Sequence, residues 1–206
     1  GALRAGVLPD GPLADLAAGV FEKVATTHSP QAPLVLVELP DRNAAEVLAH
    51  SSFAVVLDQI GDPGNLGTIP RSAEAAGADV VVLTPGSADA FNPKAVRASA
   101  GALFHVPVVV ANLDDVADAG FLLAGTSSHT FPGRTVIEHT AADLTGRLAI
   151  VMGNEAAGLP DEWDDTHGPI GTWLTIRHRG RSESLNVAMA ATILVFEVAR
   201  QRGYEM

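Results

Sequence analysis

The residues best placed for chemistry lie in a glycine-rich stretch, Asp58-Gln59-Ile60-Gly61-Asp62-Pro63-Gly64-Asn65-Leu66-Gly67-Thr68-Ile69-Pro70-Arg71. It follows the apolar run Phe53–Leu57 and leads into the helix-favouring Ser72-Ala73-Glu74-Ala75-Ala76, with Gly77 placed to end that helix. Such a turn between strand and helix presents backbone N–H groups beside a helix N-terminus, which suits an anion such as phosphate. The spacing is not GxGxxG and no Gly-Lys-Ser/Thr follows, so neither a dinucleotide fingerprint nor a Walker A loop is present. Read alone, the stretch equally describes a tight connection in which Asn65 or Thr68 caps the helix. Two more polar segments flank apolar runs: Gly153-Asn154-Glu155 after Ile150-Val151-Met152, and Ser184-Leu185-Asn186 at the opening of the last helical pattern.

The elements that must position these segments alternate. Apolar strands are predicted at Phe53–Leu57, Asp79–Leu83, Val106–Val110, Phe121–Ala124, Leu148–Met152 and Thr172–Ile176, with helix-like segments between most of them. Continuous Val- and Leu-rich strands are what a sheet covered on both faces requires, so the expected fold is α/β with a mainly parallel sheet flanked by helices. The chain should close with a helix from about Ser184 to Arg200, with Leu185, Ala188, Met189, Thr192, Phe196 and Ala199 on one side. Before Phe53 the pattern predicts a helix over Leu13–Val24, a strand over Leu34–Leu39 and a short helix over Ala44–His50.

Composition narrows the function classes. A chain of 206 residues, 47% of them hydrophobic, can bury one main domain with an appendage. The net charge of −11 argues against a nucleic-acid binder held by bulk electrostatics, so any such contact must be local. The concentrated basic stretch is Arg177-His178-Arg179-Gly180-Arg181, with Lys94 and Arg97 as a second group; an ordinary solvated loop also accounts for such a run. Cysteine is absent and the seven histidines lack metal-ligand spacing, so no metal is expected. Asp161-Glu162-Trp163-Asp164-Asp165 reads as a solvated acidic loop, and Trp163 and Trp173 as packing residues. No apolar run approaches the roughly 20 residues of a membrane span, and a cytoplasmic protein without membrane contact is expected.

Taken together, Asp62-Pro63-Gly64-Asn65-Leu66-Gly67 with Arg71 to Ala78, then Ile150 to Leu159, then Glu183-Ser184-Leu185-Asn186-Val187-Ala188, resemble in order the three signatures of the SpoU, or TrmH-like, RNA ribose 2′-O-methyltransferases of the SPOUT superfamily. The likeness covers about Thr27 to Arg200. It implies a C-terminal deep trefoil knot, S-adenosylmethionine as cofactor, RNA as partner, and a homodimer formed through the knotted region. Ribosomal RNA is the implied substrate ahead of tRNA, with a non-catalytic RNA-binding module as the alternative. By the same resemblance, residues 1–45 are the remnant of an L30e-like substrate-binding domain with its linker, and 46–206 the methyltransferase domain.

The resemblance also assigns roles. Asn65, Arg71, Glu155, Ser184 and Asn186 form the implied catalytic group, with Arg71 nearest the target hydroxyl and Glu155 placed to hold either Arg71 or the cofactor edge. The implied cofactor contacts are Gly125, Thr126, Gly153, Asn154, Glu155, Ile176, Ser184, Leu185 and Asn186. Arg71, Lys94, Arg97, Arg179 and Arg181 are the implied RNA contacts. Arginine stays protonated, so Arg71 is expected to polarise the hydroxyl and clamp phosphate rather than act as a literal base. The sequence departs from the family where Ile176-Arg177-His178 stands in place of Ile-Pro-Met. Pro70 predicts a helix starting no earlier than Gly67 or Thr68, which would put the proline in its first turn.

Overall fold

The computed structural model describes residues 15–17, 19–25, 29–31, 34–39, 41–128, 132–163, 166–181 and 184–203. The chain divides into two compact units, one ending at Pro40 and one beginning at Asp41. In the first, the described residues form one short helix, α1 (Phe21–Val24); Leu13, Ala14 and Ala18 of the longer helix expected there lie outside them. The strand expected over Leu34–Leu39 is absent. Those residues pair with no strand among the described residues, and Leu36 is 98% exposed, so the apolar run has no described partner of the kind a strand needs.

The second unit carries the sheet. After α2 (Ala44–Ala49) come β1 (Phe53–Leu57), α3 (Pro63–Ala75), β2 (Val80–Leu83), α4 (Pro93–Ala98), β3 (Val108–Val110), α5 (Leu113–Asp118) and β4 (Leu122–Thr126). The chain ends with β5 (Val136–Glu138), β6 (Leu148–Met152), β7 (Thr172–Thr175) and α6 (Val187–Arg202). The seven strands are parallel in the order β3-β2-β1-β6-β4-β7-β5. At the centre Val55 lies opposite both Val81 and Ile150, and β1 and β6 are buried along their whole length. β5, which the sequence reading lacks, is a three-residue strand at the sheet edge, too short and half-exposed to show a period.

One face of the sheet packs against α3 and α6 through Leu66, Ile69, Leu194, Val195 and Val198. Each such buried side chain contributes about 1.5–3 kcal/mol relative to exposure. The other face holds Val56, Val82, Val116 and Trp173. α6 turns differently from expectation: Ala188, Ala191, Leu194, Val195, Val198 and Ala199 are buried, while Met189 is 64% and Phe196 39% exposed. A helix apolar nearly all round does not reveal by period which side it buries.

Pro70 corrects a second expectation. α3 begins at Pro63, with Asp62 as its N-cap, and continues through Pro70 to Ala75. A capping aspartate followed by proline at the first helical position outweighs the interior proline as a start signal. Pro70 forgoes one backbone bond, and its ring is buried, which offsets part of the roughly 3 kcal/mol such a position costs. Gly77 follows the helix in the left-handed region at φ +78°, as its position predicts. Gly67 is set by packing: a Cβ there would stand 2.1 Å from the Ala95 carbonyl oxygen of α4.

Candidate functional site

The three polar segments meet at the C-terminal edge of the sheet, the end where strand-to-helix turns of an α/β fold present ligand-binding groups. Asp62 caps α3 by accepting from the Gly64 and Asn65 amides at 2.5 and 3.1 Å, and its other oxygen takes Lys94 Nζ at 2.8 Å. The Lys94 ammonium, then those two amides, hold the Asp62 carboxyl below its ordinary value. Glu155 reaches the same turn from the β6 side. It accepts from the Gly61 and Asp62 amides and from Asn65 Nδ2, each at 3.1 Å. Burial opposes ionisation of Glu155, but the Asn65 amide, its own backbone N–H and the two turn amides together hold its carboxyl below the usual range.

Asn65 is held from both sides, because its Oδ1 accepts from Asn186 Nδ2 at 3.0 Å while its Nδ2 donates to Glu155. Asn186 in turn caps α6 through the Ala188 and Met189 amides. A directed chain, Asn186 to Asn65 to Glu155, therefore ties the starts of α3 and α6 to the turn after β6. This revises two expectations. The glycine-rich turn is not open to an external anion, since Asp62 and Glu155 already supply carboxylates there. Glu155 does not hold Arg71; that arginine is exposed and no described residue bonds or pairs with it.

Beside this chain opens a cleft of about 550 Å³. Asn65, Thr126, Gly153, Asn154, Glu155, Ile176, Ser184, Leu185 and Asn186 all line it. Gly153 has to be glycine, since a Cβ would sit 2.4 Å from the Gly158 carbonyl carbon. Asn154 folds the turn by accepting from the Ala156 and Ala157 amides, and its Nδ2 donates to the Gln59 carbonyl at 2.8 Å. Gln59 is itself left-handed at φ +54°, an unusual conformation for a residue with a side chain, secured by that bond and by its amide on Thr84 Oγ1.

Other expected residues lie elsewhere. Gly125 is buried in β4, where a Cβ would meet Ile170 and Trp173 at 2.9–3.0 Å; it gives way to packing, and the cleft wall starts at Thr126. Arg71, Lys94, Arg97, Arg179 and Arg181 are outside the cleft lining. Arg97, Arg179 and Arg181 are exposed, and Lys94 is committed to Asp62. In the departing segment, Ile176 and His178 line the cleft, whereas Arg177 pairs with Glu138 at 3.6 Å. Glu183, which opens the third signature, is outside the described residues.

The sequence reading missed the apolar side of the cleft, formed by Met152, Leu159, Leu174 and Leu194. Met152 ends β6 and Leu174 lies near the end of β7, so strand-terminal position was the available signal. It also missed Arg134, only 7% exposed, whose guanidinium lies 4.1 Å from the Trp173 ring centroid. Arg134 donates from Nε to the Trp163 carbonyl at 2.5 Å and to the Pro160 carbonyl, so it secures the segment after the Gly153 turn. Nothing local in the sequence marks it.

A family model described as the SpoU rRNA Methylase family matches residues 52–196. The 23S rRNA (guanosine(2553)-2′-O)-methyltransferase RlmP of Bacillus subtilis (strain 168) is 36% identical over 190 residues, covering 89% of this chain and 71% of its own. The 23S rRNA (uridine(2479)-2′-O)-methyltransferase of Streptomyces viridochromogenes is 34% identical, covering 85% and 62%. Among solved structures, the SpoU methyltransferase AviRb from Streptomyces viridochromogenes in complex with AdoMet superposes with a TM-score of 0.69 at 34% identity, covering 80% of this chain and 66% of its own. The chain thus spans between 62% and 71% of the length of these relatives. A model matched across the whole sheet, from the residue before β1 into α6, together with identities above 30% over most of the chain, shows that it belongs to the SpoU rRNA methylase family.

Proposed function

We propose that this chain transfers the methyl group of S-adenosylmethionine to a ribose 2′-hydroxyl of ribosomal RNA. The observation that carries the reading is the Asn186–Asn65–Glu155 chain, which joins the cleft to the turn that opens Arg71's helix. The cleft suits the cofactor: it is about 550 Å³, with an apolar side at Met152, Leu159, Leu174 and Leu194 for a flat base. Gly153 lets the turn close onto the Gly158–Leu159 backbone, and the turn so formed lines the cleft with backbone groups that can hydrogen-bond base edges and ribose hydroxyls. When bound, S-adenosylmethionine supplies an electrophilic methyl group. The SpoU methyltransferase AviRb, 34% identical to this chain, is solved in complex with AdoMet, which supports this assignment.

The chain's own residues orient and polarise. Asn65, fixed at both ends, presents its edge to the ribose in one orientation, and Glu155 and Asn186 hold it there. Ser184 stands at the cleft rim as a further hydrogen-bonding group. Arg71, exposed and without a partner among the described residues, places a permanent cation where it can bind the phosphate next to the target and stabilise negative charge developing on the 2′-oxygen. Lys94, Arg97, Arg179 and Arg181 extend the RNA contact; Lys94 would exchange Asp62 for phosphate.

The reading extends to the knotted topology of the C-terminal part and to a homodimer in the cytoplasm, where ribosomal RNA is modified. The insertion of β6 between β1 and β4, with the segments after β6 and before α6 lining one cleft, supports the knot. The exposed stripe Met189, Ile193 and Phe196 on α6 supports self-association. Sedimentation velocity should give a dimer that Phe196→Asp converts to monomer; a monomeric native chain would sink that part. Labelled methyl from S-adenosylmethionine should appear at a ribose 2′-oxygen of ribosomal RNA, about 10²–10³-fold more slowly with Arg71→Ala. Label on a base, or on tRNA alone, would overturn the ribosomal reading.

A further inference from the structure

A second cavity, of about 400 Å³, opens at the C-terminal ends of β1, β2 and β3 and is closed by Pro160, Trp163 and Pro169. Its floor holds Asp58, 7% exposed, and Thr84, 6% exposed. Thr84 Oγ1 donates to Asp58 Oδ1 at 2.8 Å. Asp58 Oδ2 receives no hydrogen bond from a described residue and is not sealed from solvent, so the second oxygen of a nearly buried carboxylate opens on this cavity. A buried acceptor left without a donor is costly unless something supplies one.

The rest of the lining restricts what that can be. Among the described residues no lysine, arginine or histidine lines the cavity, which disfavours a phosphate or any other anion. The indole of Trp163 and the rings of Pro160 and Pro169 offer flat apolar surface, which suits a planar ligand. The polar side chains of the lining are the Asp58 and Asp114 carboxylates, which accept only; Thr84 and Asn112, which donate to Asp58 and to Asp115; and the side-chain amide of Gln59, which both donates and accepts and has no hydrogen-bond partner among the described residues. Guanine is the RNA base whose edge carries two adjacent donors, N1–H and the 2-amino group, beside an acceptor, O6. It matches a lining of carboxylates with one uncommitted amide, that of Gln59; uracil, with a single donor between two acceptors, does not.

Gln59 also connects this cavity to the cleft, because its carbonyl is held by Asn154, a cleft residue. We infer that the cavity at Asp58 and Trp163 receives a guanine base of the RNA, from a nucleotide flanking the one that is methylated. The inference rests on the proposed action on RNA, and its test does not use methyl transfer, so the two can fail separately.

The intact chain, saturated with S-adenosylhomocysteine, would be titrated with guanosine, inosine, uridine and guanosine diphosphate while Trp163 fluorescence is followed. Guanosine should quench saturably, with inosine, which lacks the 2-amino group, bound about tenfold more weakly and uridine weaker still. Guanosine diphosphate should bind no better than guanosine. Asp58→Asn keeps an acceptor for Thr84 and turns an amide donor towards the cavity, so it should erase the preference for guanosine over inosine. Calorimetry with S-adenosylhomocysteine reports whether that variant is folded, and Asp114→Asn at the exposed rim decides the matter if it is not, by narrowing the same preference. Equal binding of guanosine and uridine, a preference unmoved by the deciding variant, or guanosine diphosphate binding more than about tenfold tighter, as a free-nucleotide site would, overturns the inference.

Discussion

In the cleft the polar residues Asn65, Asn154, Glu155 and Asn186 already spend their side-chain groups on one another or on backbone, while Arg71, Arg179 and Arg181 point charges at solvent with no partner among the described residues. The first region is organised before any ligand arrives; the second is complete only against an outside anion. The difference fits a small cofactor that must be gripped in one pose and a polyanion that must be attracted without being misread. It also bears on how a chain of net charge −11 can meet RNA: at the turn, Asp62 is engaged by Lys94 and amides and Glu155 by amides and Asn65, while the arginines Arg71, Arg179 and Arg181 stand exposed.

The contrast breaks most sharply at Arg71. Arg71→Ala should lower the methyl-transfer rate by about 10²–10³-fold, the scale of losing one group that stabilises developing charge, with cofactor affinity measured by calorimetry unchanged. A parallel loss of cofactor affinity would mean that the two regions are one. Gly153→Ala should do the reverse. Its Cβ meets backbone at 2.4 Å, and overpacking of about 1–3 kcal/mol corresponds to roughly ten- to hundredfold weaker cofactor binding, with RNA affinity in filter binding retained.

Acid sharpens the comparison further. The Glu155 carboxyl lies below its ordinary 4.5 in the folded chain, so its contribution to stability is complete above about 4.5 and is lost as pH falls through the lowered value. Asp62 and Glu197 act in the same direction, the latter pushed down to about 2 by the Arg200 guanidinium. Glu155→Gln should therefore flatten, without abolishing, the loss of stability below pH 4.5 seen by circular dichroism. An unchanged acid profile would remove Glu155 as a contributor. The smallest effect belongs to Arg179→Ala combined with Arg181→Ala: a salt slope of RNA binding reduced by about 0.7 to 0.9 per lost phosphate contact, with the rate at saturating RNA intact.

The sequence disclosed the parts of the molecule governed by local pattern. β1 and β6 match their apolar runs residue for residue, because a strand buried on both faces has no polar interruption. β5 was illegible because an edge strand of three residues carries no such pattern. The start of α3 was misjudged by weighting Pro70 above the Asp62-Pro63 cap. In the site, the polar signatures disclosed which residues meet but not how they bond. Glu155 finds Asn65 across 90 positions, and a carboxylate able to choose an arginine, an asparagine or two amides is assigned only by three-dimensional proximity. Arg134 was invisible for the same reason: its partners are backbone carbonyls 26 and 29 residues away.

The close approach at Gly67 bears on how such a chain can change over time. With the Ala95 carbonyl where a methyl group would have to go, position 67 has no neutral route to another residue, even in a helix that would otherwise prefer alanine. Drift on the exposed side of α4 is unconstrained by that contact, so new charges can be tried around Lys94 while the backbone carrying them keeps its distance from the turn. The fold thereby separates what must stay fixed for the methyl donor from what is free to be revised for a different RNA.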